Sequence, residues 1–263
     1  MTISDQLQLA LQAYAELQPE ISAVECNRAI QPGAMTGDRS NIDHDLLPDA
    51  SLLLGIADDG LPVLLNLKNP VPGPILVIGG KASGKTDFLQ FLANGSELLS
   101  EPGDTQFGVI TQFPEEWEGM DALSNSLGVW SAFHPSCDGF LSQLISWADV
   151  LPRSQQFVLL LIDDLDMFGS IDLKIRHKLQ WLLKYGPEKH IWPVATVEPL
   201  RCDQLAFWTG YFHTQVFGQV DKVDRIEDFF HVGVFDVDKL VPGKEFAVRL
   251  LDDWLKFSLP SEE

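Results

Sequence analysis

Basic residues are scarce in this chain and unevenly spread. Lysine and arginine number 18 against 38 aspartates and glutamates, which gives a formal net charge of −20 over 263 residues. From Thr86 to Pro152 there is no lysine or arginine at all, while Asp87, Glu97, Glu101, Asp104, Glu115, Glu116, Glu118, Asp121, Asp138 and Asp149 all fall there. Nucleic-acid binders usually carry a basic face, so any contact with DNA is disfavoured, and excluded from this stretch. The acidity suits solubility, or the docking of a basic protein partner. Long apolar runs are missing too: none approaches the ~20 residues of a membrane-crossing helix. Met1-Thr2-Ile3-Ser4-Asp5 has neither the basic start nor the apolar stretch of a secretory leader. Cys26, Cys137 and Cys202 are odd in number and far apart, so they form neither a disulfide framework nor a metal cluster. The six histidines show no metal-ligand spacing, and there is no GxSxG nucleophile elbow. These absences lead us to expect a cytoplasmic protein. At 45% hydrophobic residues the chain has the means to bury a core of its own.

What is present is a complete phosphate-binding signature. Gly79-Gly80-Lys81-Ala82-Ser83-Gly84-Lys85-Thr86 matches GxxxxGK[ST]. It follows the apolar run Pro74-Ile75-Leu76-Val77-Ile78, which reads as a buried strand. It runs into Asp87-Phe88-Leu89-Gln90-Phe91-Leu92, which reads as the start of a helix. That is the context the motif requires. The glycines let main-chain N–H groups turn inward around a phosphate chain. Lys85 can set a point charge on the β- and γ-phosphates, and Thr86 can offer its hydroxyl to Mg²⁺.

A second motif completes the expected pair. Phe157-Val158-Leu159-Leu160-Leu161-Ile162 is an apolar strand that ends in Asp163-Asp164. Such a strand delivers Asp163 to the Mg²⁺ shell beside the phosphate loop. Asp164 takes the next position, where many ATPases hold a glutamate that orients the attacking water. Aspartate is one methylene shorter, and a misplacement of about 1 Å can cost on the order of 100-fold in rate. Asp166 is the fallback for that role. The cofactors expected are therefore ATP and Mg²⁺.

Around these motifs the chain reads as an α/β domain over residues 51–263, preceded by an N-terminal helix and linker over residues 1–50. The helix is expected over residues 4–19, with Leu7, Leu11, Tyr14 and Leu17 on one stripe. Residues 52–56 and 62–67 flank Asp58-Asp59-Gly60 and predict a hairpin. Strands are then expected at 107–111, 157–162, 191–197, 215–220 and 245–250, with helices at 140–148 and 171–185. Alternation of this kind predicts a mostly parallel sheet with helices on both faces. Lys174, Arg176, Lys178, Lys184 and Lys189 form a basic cluster along the 171–185 helix and just beyond it. That cluster reads as a solvated face, or as a patch for an acidic neighbour or a phosphate backbone.

Taken in order, these segments resemble the FtsK/HerA family of P-loop motor ATPases over roughly residues 52–258. The resemblance rests on seven segments beside the phosphate loop. They are Leu54-Gly55-Ile56-Ala57-Asp58-Asp59-Gly60-Leu61-Pro62-Val63, Ile162-Asp163-Asp164-Leu165-Asp166, Leu182-Leu183-Lys184-Tyr185-Gly186, His190-Ile191-Trp192-Pro193-Val194-Ala195-Thr196, Gln215-Val216-Phe217-Gly218-Gln219-Val220, Asp224-Arg225-Ile226 and Asp238-Lys239-Leu240-Val241-Pro242-Gly243-Lys244-Glu245-Phe246. It implies a RecA-like sheet, ATP bound between the subunits of a homo-oligomeric ring or hetero-complex, and an arginine lent by one subunit to the γ-phosphate held by the next. Arg225 matches the family's arginine for that finger, with Arg201 as the alternative. The sequence departs from the pattern where the family's sensor strand ends Ala-Thr-Gln-Arg-Pro. Here Ala195-Thr196-Val197-Glu198-Pro199 stands instead, and valine cannot hydrogen-bond a γ-phosphate. The expectation is a P-loop ATPase coupled to an oligomeric assembly or to DNA or protein handling. Its rival is a nucleotide-holding scaffold subunit with weak turnover.

Overall fold

The structure is a computed structural model, and it describes residues 50–98, 105–150, 156–199, 206–221, 235–250 and 253–260. The helix expected over 4–19, the linker that follows it as far as residue 49, and the two arginines Arg201 and Arg225 lie outside those residues.

The chain opens with a hairpin. Strands β1 (Ser51–Ala57) and β2 (Pro62–Asn66) flank the Asp58-Asp59-Gly60 turn. Gly60 takes φ +84° there, and its N–H bonds Ala57 O at 2.9 Å. Next comes β3 (Ile75–Ile78), all four residues buried, then helix α1 (Lys85–Leu98). There follow β4 (Thr105–Thr111), β5 (Ser126–Ser131), α2 (Pro135–Val150), β6 (Phe157–Ile162), α3 (Leu173–Tyr185), β7 (Ile191–Val197), β8 (Thr214–Phe217), β9 (Glu245–Leu250) and β10 (Asp253–Ser258). Helix α3 starts two residues later than the sequence predicts, because Asp172 caps it and accepts the Lys174 N–H at 2.8 Å.

Among the described residues the strands join in one ten-stranded sheet in the order β2-β1-β10-β9-β8-β3-β7-β6-β4-β5. From β8 to β5 the pairings are parallel. From β8 to β2 they are antiparallel. The hairpin is the far edge of the same sheet, attached through β10.

Side chains alternate between the two faces of the sheet. Val77, Val109, Leu161 and Val194 pack with Phe88, Leu89 and Leu92 of α1. Leu76, Ile110, Leu160 and Ala195 pack with Phe140 and Leu144 of α2 and with Leu179 and Leu182 of α3. Helices thus cover both faces, as expected, and the central strands are buried on both sides. Lys178 does not belong to a solvated face. Its ammonium bonds Asp138 Oδ1 at 2.5 Å and Ser142 Oγ at 2.7 Å, which ties α3 to α2.

Candidate nucleotide and metal site

The parallel strands bring their carboxyl ends to one edge, where ligands of open α/β sheets bind. Strand β7 lies between β3 and β6, with Val197 paired to Ile78 and Ala195 paired to Ile162. Residues after β3, β6 and β7 are neighbours for that reason, although 77 positions separate Thr86 from Asp163.

The loop 79–86 is held from behind by main-chain bonds. Gly79 N–H bonds Val197 O at 3.2 Å and Gly80 N–H bonds Gln219 O at 2.9 Å. Gly243 N–H bonds Ser83 O at 3.0 Å. The packing leaves no room for side chains. A Cβ on Gly79 would lie 2.2 Å from Ser83 Oγ, and one on Gly84 would lie 2.3 Å from the Gly243 Cα. Gly84 also takes φ +86° and Ala82 φ +59°. The first helical bond runs from Phe88 N–H to Gly84 O at 2.9 Å. Lys85, Thr86 and Asp87 therefore stand where a helix has no internal acceptor for its N–H groups, which is an anion-binding end. Lys85 Nζ donates to Gly80 O at 2.9 Å, back across the loop. Burial lowers the pKa of the Lys85 ammonium, and the negative charges of Asp164, Glu198, Asp163 and Asp166 oppose that shift.

Asp163 is buried and collects three donors. Thr86 Oγ1 donates to its Oδ2 at 3.0 Å, and Trp117 Nε1 donates to the same oxygen at 3.3 Å. Thr196 Oγ1 donates to Oδ1 at 2.9 Å. Thr196 also accepts the Asp164 N–H at 2.7 Å. Asp164 sits in the left-handed region, with φ 65° and ψ 78°. A non-glycine residue there carries strain that neighbours must hold in place, and the Thr196 bond does so.

The structure thus brings Gly79, Gly80, Lys81, Ala82, Ser83, Gly84, Lys85, Thr86, Asp163 and Asp164 together at one edge of the sheet. The Val197 side chain is fully buried, and its carbonyl supports Gly79. The sequence reading gave no role to Trp117 or Thr196. Thr196 was visible as a strand residue one step short of the sensor position. Trp117 gave no signal, since it lies in a run of acidic residues and meets Asp163 from 46 positions away. The pair Thr86 and Asp163 offers a hydroxyl and a carboxylate, the hard oxygen donors that Mg²⁺ takes, so the residues fit that ion.

No family model matches the chain, and no curated protein matches it in sequence. Solved structures do match its fold. The EccC ATPases 2 and 3 of Thermomonospora curvata, in complex with a signal sequence peptide, are 13% identical at a TM-score of 0.66, covering 86% of this chain and 43% of that one. EssC ATPases 2 and 3 from Geobacillus thermodenitrificans are 12% identical at 0.66, covering 90% and 47%. The conjugation coupling protein TcpA of pCW3, in a monomer form with ATPγS, is 12% identical at 0.65, covering 85% and 68%. The chain spans less than half the length of the first two. The fold it shares with them is a RecA-like P-loop NTPase fold.

Proposed function

We propose that this chain binds ATP with Mg²⁺ on the loop 79–86 and hydrolyses it within an oligomeric assembly, as an ATPase domain of FtsK/HerA type. The observation that carries this reading is the 3.0 Å bond between Thr86 and Asp163 at the mouth of a glycine loop that opens a helix. The TcpA neighbour was solved with ATPγS, which supports adenine nucleotide as the ligand. Gly79 to Thr86 would cradle the phosphates. Lys85 would exchange the Gly80 carbonyl for phosphate oxygens and lend them its charge. Thr86 and Asp163 would hold Mg²⁺, which neutralises charge building on the β- and γ-oxygens. Asp164, the first among the carboxylates acting on Lys85, would orient water for in-line attack. Arg225 of an adjoining subunit would reach the γ-phosphate, with Arg201 as the other candidate.

A second reading has support of its own. Asp164 is short and strained, the side chain at position 197 is buried, and Glu198 adds negative charge around Lys85. These features favour slow turnover, in which bound ATP holds an assembly together. Net charge disfavours a DNA-pumping motor and leaves a basic protein partner as the better match.

The test is nucleotide binding and phosphate release by the full chain and by Lys85→Ala, with and without DNA. Turnover that the substitution abolishes supports the ATPase. Tight binding with no turnover supports the scaffold. Stimulation by DNA would revive the motor, and a folded chain that takes up no nucleotide would overturn all three.

A further inference from the structure

Residues Pro114–Trp117 form one tight helical turn after β4. Glu115 and Glu116 face solvent on it, while Trp117 is 1% exposed. The turn is fastened at two points. Gln90 Nε2, on α1, donates to Glu116 O at 2.7 Å, and Trp117 Nε1 donates to Asp163 Oδ2 at 3.3 Å. Packing alone does not demand an indole here, since the surrounding cluster is apolar and rich in phenylalanine. What tryptophan adds to phenylalanine is a donor that is never an acceptor. It can hold a carboxylate and cannot compete with it for a cation.

We propose that Trp117 is a positioning residue for the metal-side carboxylate, fixing the rotation of Asp163 for Mg²⁺. This rests on the reading that the site takes Mg²⁺ and ATP. Thr86 and Trp117 together fill the two lone-pair positions of Oδ2, and Thr196 takes one on Oδ1. The carboxylate is thereby held from both ends, and one lone pair of Oδ1 remains beside the Thr196 bond. The Thr86 hydroxyl has a single proton, spent on Asp163, and keeps its lone pairs for a cation. Removing the indole N–H leaves Oδ2 held by Thr86 alone and loosens the rotation of Asp163, at a cost in metal binding and none in contacts with the phosphates.

The experiment titrates Mg²⁺ against binding of a fluorescent ATP analogue to the full chain, and repeats the binding in excess chelator. Trp117→Phe is compared with wild type and with Trp192→Phe. Trp192 is a second fully buried indole, and its N–H bonds Leu67 O at 3.1 Å, far from the site. Loss of an outer hydrogen bond to a metal-side group typically costs ~10-fold or more in metal affinity. The expected result is that Trp117→Phe needs ~10-fold more Mg²⁺, with chelator-state affinity unchanged, and that Trp192→Phe moves neither. An unchanged Mg²⁺ requirement in Trp117→Phe, or equal shifts in both variants, overturns the proposal and leaves the nucleotide site standing. Wild-type protein that binds no nucleotide overturns the site itself. Should Trp117→Phe not fold, wild type labelled at the indole nitrogens decides. The Trp117 N–H resonance moves when Mg²⁺ is added to the nucleotide-bound chain, or the proposal fails.

Discussion

Asp164 shows how one residue can join strain to chemistry. Its left-handed backbone costs an ordinary side chain about 1–2 kcal/mol, and glycine almost nothing. The bond from its N–H to Thr196 keeps it there. Asp164→Gly is therefore expected to keep or raise stability, by up to about 1 kcal/mol, while it removes the carboxylate that acts most on Lys85. Asp164→Val puts a branched side chain in the same conformation and is expected to cost about 2 kcal/mol. Urea unfolding of the two variants beside wild type checks both signs. Equal destabilisation by both would mean that the carboxylate, rather than the backbone, decides stability at this position.

At the scale of elements, the turn before β9 matters because it sits on the phosphate loop. Gly243 touches Ser83 and Gly84, and Glu245 closes the turn by accepting the Val241 N–H at 2.9 Å. That backbone bond, with help from Lys256, holds the Glu245 carboxyl below its ordinary range. The folded-state value is the lower one. The contribution to stability is thus present above the ordinary carboxylate value of ~4.3 and fades as pH falls below it. Glu245→Gln should lower the Tm at neutral pH, and the gap to wild type should close as pH drops through that range. A gap independent of pH would mean that geometry, not charge, fastens the turn. Gly84→Ala tests the same contact from the other side. It meets the Gly243 Cα and a positive φ at once, and weaker nucleotide binding is expected, read by the same fluorescent analogue.

How much of this could be read in the sequence depended on the distance over which each element is specified. The phosphate loop, its strand and its helix were legible because strand, glycines and helix follow one another directly. Strand β6 was legible as an unbroken apolar run. Strand β5 was missed. It is an edge strand, half-buried along most of its length, and Gly128 interrupts it at φ +132°. Strand β10 was missed because it follows β9 after only two residues. The support of Asp163 by Trp117 has no local signature at all.

For the whole molecule, β10 is the strand that holds the hairpin to the rest of the sheet. It pairs with β9 on one side and with β1 on the other, and so joins the hairpin to the parallel core. Phe257 on β10 is fully buried and lies 6.2 Å from the Phe88 ring and 6.1 Å from the Phe246 ring, centroid to centroid. Phe88 stands two residues after Thr86, so the far edge of the sheet and the phosphate loop share one cluster. Phe257→Ala is expected to cost about 3–5 kcal/mol. Because the cluster is shared, unfolding should remain a single transition by both circular dichroism and tryptophan fluorescence. Two separated transitions would show that the hairpin edge unfolds independently.

The position of β4 and β5 at one end of the sheet has an electrical consequence. The stretch without a single lysine or arginine runs through α1, β4, β5 and α2, so the charges these elements carry are negative, with Asp138 met by Lys178 of α3. Two copies meeting flank to flank would repel each other. Any self-association would then be steered toward unlike surfaces, head to tail, which is the pairing that closes rings or runs on into filaments.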